Sequence, residues 1–520
     1  MINFKSKNIN RFVFVYSFLL LLFFIFQLYL SKNLTDIICI FIIFISNIIT
    51  LFYCFNSKFF FDYPISLLMI FFSHFINLGS SLFFKSFENS VITEKLEYPI
   101  DTILILSSIT ISIILGHFIY RNSKTSIKIS DKISTKLNNI NLINLQNINH
   151  FIIVSIFVIL MRVTFFDFNT TGVERNIPKG QFNILQDLVK GISWFLYMPI
   201  IIFFSKYFYN QKYKINYFFL AFFILSILFI SFSTNNRSNL FDVFIIIFIF
   251  IFLLIIFEKI NLKKNFIKFV IIIFLSIPFI NFLERVSGTF ISERSYMQER
   301  TPIQNVISFI SAFSEDTSDI INLYKENKNS FFFAENYYDS QILNRINILL
   351  IHDNFLFIKK NITNKQKKEF IDLQKNKVIS ILPQSLINTF TNNFNKLDYI
   401  NSTASTYYNK YYEDYTSLAI GSSLISLYII FDYWVFILCV FLFIPFFIFF
   451  DSFYDKKKKI FSPFILIFFY TTGYGVLKFF ASTEISNWIE LPFRIIPQTI
   501  IFFIFIRYFL RIIFRDKVKS

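Results

Sequence analysis

Four arginines and three proton-accepting side chains are conspicuous for where they fall in an otherwise apolar chain. Arg162 lies within one apolar run, and Arg237 sits in the polar hinge Ser233-Thr234-Asn235-Asn236-Arg237-Ser238-Asn239 between two others. Arg285 follows a run directly, and Arg494 lies a short way into the last one. All four fall at one expected level, the outer third of a bilayer and its interface. A guanidinium at that depth is costly unless it faces a polar cavity or a carboxylate, and its planar fork offers paired donors. At the hinge, Ser238 or Asn239 can cap the next helix and leave free N–H groups beside Arg237, a combination that suits a phosphate. Carboxylates accompany these cations. Glu284 adjoins Arg285, Glu293, Arg294, Glu299 and Arg300 follow, and Lys478, Glu484 and Glu490 precede Arg494. His352 lies in a long polar segment, whereas His74 and His117 fall inside apolar runs and His150 at the start of one. No His-x-x-x-His pair occurs, and Cys39, Cys54 and Cys439 all sit in apolar runs. Neither a zinc site nor a disulfide framework is predicted, and no cofactor is expected.

The elements that must position these groups follow from composition. With 55% hydrophobic and 21% aromatic residues, 80 Phe and only 9 Gly in 520 residues, the chain carries too much apolar surface for one soluble core. The fold class predicted is an all-α polytopic membrane protein of about 12 transmembrane helices with one large helical extracytoplasmic loop. Apolar runs of roughly 17 to 25 residues are the length a helix needs to cross hydrocarbon. They fall near 12–31, 34–55, 63–84, 100–120, 150–168, 191–209, 217–233, 238–257, 268–283, 433–450, 461–480 and 491–510. The chain thus divides into a bundle over 1–283, a polar loop over 284–416, and a closing segment over 417–520, in which 417–431 reads as a re-entrant or interfacial helix before the last three spans.

Sidedness follows from Lys and Arg in the short connections. Lys5, Lys7, Arg11, Lys58, Arg121 to Lys136, Lys206 to Lys214, Lys259 to Lys268, Lys456 to Lys459 and Arg507 to Lys519 alternate onto one side. That side is read as cytoplasmic, with both termini on it, in a bacterial inner membrane. The net charge of +17 is then mostly topology and lipid anchoring. Its dispersal among membrane exits argues against nucleic acid as a partner.

The connections differ in character. The outer loop 85–99, with Glu88, Glu94 and Glu97 followed by Asp101, lacks tight acid-x-acid spacing and reads as a solvated loop. Lys124, Lys128, Lys132 and Lys136 recur at four-residue steps, which puts them on one helical face toward anionic headgroups. Within 284–416, Val306, Ile307, Ile310 and Phe313 form one apolar stripe and Ile342, Ile346, Leu349 and Leu350 another, so a folded loop is predicted. Asn361 to Lys377 reads as its exposed, basic edge.

Taken together, these features resemble the Wzy-type O-antigen and capsular repeat-unit polymerases. The resemblance rests on some twelve spans, a late outer loop, an arginine inside a middle span and a small-polar-Arg-Ser turn opening the next span. Leu382-Pro383, and Gly421-Ser422-Ser423 followed by Tyr428 and Phe431, add short matches. After the Gly-Ser-Ser segment the family pattern calls for an acidic residue and glycines; this chain has Ser426, Asp432 and Val435 instead. The resemblance implies transfer of a growing glycan from an undecaprenyl-diphosphate carrier to an incoming lipid-linked repeat unit, without a metal. Arg162, Arg237, Arg285 and Arg494 would then bind the diphosphate, and Glu284, His352 or Glu484 would take the acceptor proton. A chain-length regulator and a repeat-unit flippase are the implied protein partners, beside the lipid bilayer and the lipid-linked oligosaccharide. An O-antigen ligase shares this architecture, and His352 keeps that alternative open. A flippase or other transporter would instead show related halves and polar or broken helices near the midplane.

Overall fold

Long runs of Phe, Ile and Leu satisfy their backbone polar groups most readily as helices, since those groups then pair within the segment. The computed structural model is accordingly mostly helical. It describes residues 7–139, 151–164, 193–208, 217–234, 237–260, 282–290 except 287, 302–314, 337–382 except 341, 384–390, 394–395, 399, 421–469 and 475–514 except 483. The longer helices are α1 (Lys7–Leu30), α2 (Leu34–Cys54), α3 (Pro64–His74), α4 (Ser81–Phe87), α5 (Pro99–Asn122), α6 (Lys124–Asn139), α7 (Phe151–Thr164), α8 (Met198–Phe208), α9 (Tyr217–Thr234), α10 (Arg237–Ile256) and α11 (Pro302–Ser314). They are followed by α12 (Leu349–Asn361), α13 (Asn364–Ile379), α14 (Ser423–Phe431), α15 (Trp434–Leu442), α16 (Ile444–Asp451), α17 (Ile485–Glu490) and α18 (Ile496–Phe514). The only strands among the described residues are the two-residue segments Tyr454–Asp455 and Ile460–Phe461.

Five helical runs among the described residues are long and apolar enough to cross a membrane: α1, α2, α5, Trp434–Asp451 and Ile485–Ile506. A sixth is α3 with its π-helical continuation Phe75–Gly79 and α4, if that pair, bent by 44°, is one span. Shorter apolar helices lie at Trp194–Ser205, Phe218–Phe232, Phe241–Ile256 and Ile303–Phe313. The chain is an all-α protein with membrane-spanning helices. The predicted run 268–283 falls almost wholly outside the described residues. The run 461–480 departs from expectation: a single helical turn, Pro463–Leu466, is followed by turns, and the described end is a 3-10 turn, Phe479–Ala481. Its sequence includes Thr471-Thr472-Gly473-Tyr474-Gly475, and two glycines this close disfavour a continuous helix by about 1 kcal/mol each.

The chain separates into two compact units. The first comprises 1–134, 322–456 and 473–490; the second comprises 135–321, 457–472 and 491–520. These boundaries cut through the long polar segment rather than around it. In the first unit α2 packs on α1, α3 and α5, and α5 packs on α15. Gly116 permits that last approach, because a Cβ there would stand 2.3 Å from the Val440 carbonyl oxygen. At one end of this unit lie the α1–α2 turn, the 88–98 loop and α12; at the other, the α2–α3 connection, the end of α5 and Asp451, which accepts the Ser66 amide at 3.0 Å and the Ser66 hydroxyl at 2.7 Å. In the second unit, α9 packs on α10 and α11, with Phe232 and Phe309 stacked at 4.2 Å between ring centroids.

Candidate functional site

A buried polar cluster lies in the first unit, where α12 brings His352, Asp353 and Asn354 in succession, all fully or nearly fully buried. His352 Nδ1 lies 2.6 Å from Ser422 Oγ, and Nε2 lies 3.0 Å from Asn77 Oδ1. Asn77 sits in the π-helical turn after α3 and donates through Nδ2 to the Phe480 carbonyl at 3.1 Å. The amide oxygen is thereby left to accept, which assigns the ring proton to Nε2 and makes the Ser422 hydroxyl the donor to Nδ1. Ser422 also caps α14, accepting the Ile425 amide at 3.1 Å. Burial drives the His352 pKa down to about 3, because a buried imidazolium loses its hydration without gaining a counter-ion.

Asp353 braces the opposite side of the same turn. Its carboxylate accepts the Glu97 amide at 2.6 Å, the Tyr98 amide at 3.0 Å and the Thr102 hydroxyl at 2.7 Å. Tyr98 is the N-cap of α5 and makes no side-chain cap bond, so Asp353 caps that helix from another element. Burial raises the Asp353 pKa against the pull of these three donors.

Around this core run four further ion pairs and a cation–ring contact. Lys377 and Glu484 pair at 3.1 Å with both side chains 9% exposed. Glu484 is tied to the centre through backbone, since its carbonyl accepts the Ser482 hydroxyl at 3.2 Å and the Ser482 carbonyl accepts the Ser423 amide at 3.2 Å. Asp432 receives Lys359 at 2.7 Å and Lys367 at 2.8 Å. Burial alone would raise the Asp432 pKa, but the two ammonium groups hold it below the usual carboxylate range. Lys359 also stands 3.3 Å over the Tyr428 ring, and Lys360 pairs with Asp101. Among the described residues, the side-chain amides of Asn354 and Gln374 and the Ser423 hydroxyl are buried without hydrogen-bond partners. Such atoms rarely remain unsatisfied in a native interior, and here they offer donors and acceptors to water or ligand.

The predicted residues distribute unevenly. His352 and Glu484 belong to the first unit; Glu284, Arg162, Arg237, Arg285 and Arg494 belong to the second. Glu284 is half-buried and Arg285 exposed, its guanidinium 5.0 Å from the Phe313 ring centroid. Arg494 is exposed on the π-helical turn Leu491–Ile495. The side chains of Arg162 and Arg237 lie outside the described residues, although their backbones belong to α7 and to the first turn of α10. His352 has both ring nitrogens committed and no solvent exposure, so as it stands its geometry is that of a brace rather than a base reaching a substrate hydroxyl.

Asn77, Ser422, Asp353, Lys377 and the Asp432 pair were not legible as a group. Separate signals exist for some of them. Asn77 interrupts an apolar run, and Phe370, Gln374 and Lys377 follow helical spacing, the buried stripe of α13. That stripe corrects the reading of Asn361 to Lys377 as simply an exposed edge. Comparison with family models, curated proteins and solved structures gives no match to this chain.

Proposed function

We propose that the chain is a glycan-transferring membrane enzyme that joins undecaprenyl-diphosphate-linked oligosaccharide repeat units into O-antigen or capsular polysaccharide. In this reading about twelve helices cross a bacterial inner membrane, both termini are cytoplasmic, and 284–416 lies outside. The observation that carries it is the polar interior of the first unit. Helices from the long polar segment meet apolar, span-length helices there, bringing His352, Asp353, Lys377–Glu484 and Asp432 with its two lysines to a bundle of apolar helices. A transferase acting on a lipid-linked sugar needs such a place, where an apolar carrier and a hydroxylated substrate meet one protein surface.

The chemistry assigned to it uses no covalent intermediate. An acceptor hydroxyl loses its proton to Glu284 and attacks the anomeric carbon, whose bond to the carrier diphosphate breaks with both electrons leaving on oxygen. Arg162, Arg237, Arg285 and Arg494 meet that leaving charge. Deleting the gene should replace long surface polymers with single repeat units. Replacing each arginine by lysine keeps charge but loses the planar fork; a contact specific to the transition state is worth about 2 to 4 kcal/mol, or roughly 30- to 1000-fold in rate. Normal polymer ladders in the deletion strain would refute the reading. Loss of even the single-unit band would favour a ligase or a flippase.

A further inference from the structure

At the end of the first unit that holds α12, a cavity of about 510 Å³ opens between the α1–α2 turn, the loop after α4 and Asp339. This is the volume of a small-molecule site. Its walls are fixed by several bonds. Gln27 donates to Ser86 Oγ at 3.1 Å and the Ser90 carbonyl at 2.9 Å and accepts the Ile92 amide at 3.2 Å. Tyr337 donates to the Ile92 carbonyl at 2.6 Å, and Thr93 donates to Asp36. Glu88 accepts the Asp339 and Ser340 amides at 2.9 and 3.2 Å. Two lining residues, Asn89 and Lys95, hold φ at 53° and 68°, conformations that persist only where surrounding structure enforces them.

Lys85 is the informative group. It lines the cavity with a side chain 1% exposed. Its ammonium lies 4.4 Å from the Tyr337 ring centroid and 4.0 Å from Glu94, and it has no hydrogen-bond partner among the described residues. Ser90 Oγ, also in the lining, is buried and without a partner among the described residues. With Glu94 beyond hydrogen-bond distance, this buried ammonium keeps N–H donors that a ligand acceptor can take.

We infer that this cavity binds a sugar residue bearing one carboxylate, with the carboxylate on Lys85 and the hydroxyls on Ser90, Asn33 and Asn89. One buried ammonium matches one carboxylate, and the rest of the lining disfavours a larger negative charge. Lys32, Lys85 and Lys95 face Asp36, Glu88, Glu94 and Asp339, a lining of net −1, which would repel a diphosphate. The proposal depends on the glycan-transfer reading only for the source of such a sugar.

The test uses the full chain in lipid nanodiscs and three soluble probes: a trisaccharide with one uronic carboxylate, its carboxyl-reduced neutral counterpart, and inorganic pyrophosphate. The acid should bind at least about tenfold tighter than the neutral sugar, as for one charge-assisted hydrogen bond. Lys85→Gln should erase that preference and Lys85→Arg should retain it. Because burial of Lys85 could make its variants fold poorly, the half-exposed Glu94 supplies a second measurement: Glu94→Gln should tighten the acid and leave the neutral sugar unchanged. Equal binding of acid and neutral sugar, tighter binding of pyrophosphate, or indifference of the acid to Glu94→Gln would overturn the proposal. Since no transfer is measured, acid binding in a chain that makes no polymer would refute only the transferase reading.

Discussion

Replacing His352 by leucine tests whether this residue is a neutral brace. At pH 7 the substitution leaves the Asn77 amide oxygen without its donor, while Ser422 keeps the Ile425 amide. One buried orphan costs about 1 to 3 kcal/mol, and with the lost bond to Ser422 the variant should be about 2 to 4 kcal/mol less stable. Below pH 6.5 the unfolded chain takes a proton at this position that the folded chain refuses until pH falls to about 3. The contribution of a neutral His352 is therefore complete above 6.5 and lost as pH falls. Its loss grows by more than about 1 kcal/mol per pH unit and reaches about 3 kcal/mol by pH 4.5. Leucine has no such dependence, so the gap between wild type and variant should narrow to about 1 kcal/mol or less by pH 4.5. Denaturation of the full chain in detergent at pH 7.0, 6.0, 5.0 and 4.5 reads this directly. A gap that stays constant would mean that the ring charges in the folded state, and the brace would then have to be abandoned for a solvent-reachable base.

Three other substitutions probe how the first unit is held. Gly116→Ala must push α5 from α15, because its Cβ would meet the Val440 backbone carbonyl at 2.3 Å; a loss of about 1 to 3 kcal/mol is expected, and an unchanged thermal midpoint would refute the close approach. Asp353→Ala strips the acceptor from two amides and one hydroxyl at the start of α5, which should cost about 3 to 5 kcal/mol and show as a large fall in midpoint. Asp432→Asn releases Lys359 and Lys367, but the Asp432 side chain is 47% exposed. Solvent screening limits the loss to about 1 kcal/mol, diminishing at high salt; a larger, salt-independent loss would contradict that estimate.

The apolar pattern located most span-length helices closely. α1, α2, α5 and Trp434–Asp451 begin and end within a few residues of their runs, because such runs have no competing way to satisfy their backbone. Where the pattern misled, a local feature overrode hydropathy. The run 63–84 bends at a π-helical turn and Gly79, where a Cβ would meet Asn47 Oδ1 at 2.5 Å. In the loop 85–99, read as solvated, Asn89, Glu94, Lys95 and Glu97 are exposed, while Gln27 and Tyr337 bind its backbone carbonyls at Ser90 and Ile92. The polar centre was less legible still. Bonds such as His352 to Asn77, 275 residues apart, and Asp353 to Thr102, 251 apart, leave no trace in local spacing.

The division of candidate residues between units leads to one more test, which separates support from chemistry. His352 and Asp353 act through packing and hydrogen bonds inside the first unit, so if the chain makes polymer as proposed, their variants should lose stability and polymer together. Arg162, Arg237, Arg285 and Arg494 all belong to the second, and the two with described side chains, Arg285 and Arg494, are exposed. Lysine at an exposed arginine rarely changes stability by more than about 0.5 kcal/mol. If these arginines meet a leaving diphosphate, Arg285→Lys and Arg494→Lys should therefore lose roughly 30-fold or more in polymer formation at an unchanged thermal midpoint. Scoring both quantities on the same membranes distinguishes the cases. Variants that lose midpoint and polymer in proportion would show the arginines to be structural, and variants that lose neither would remove them from the diphosphate site.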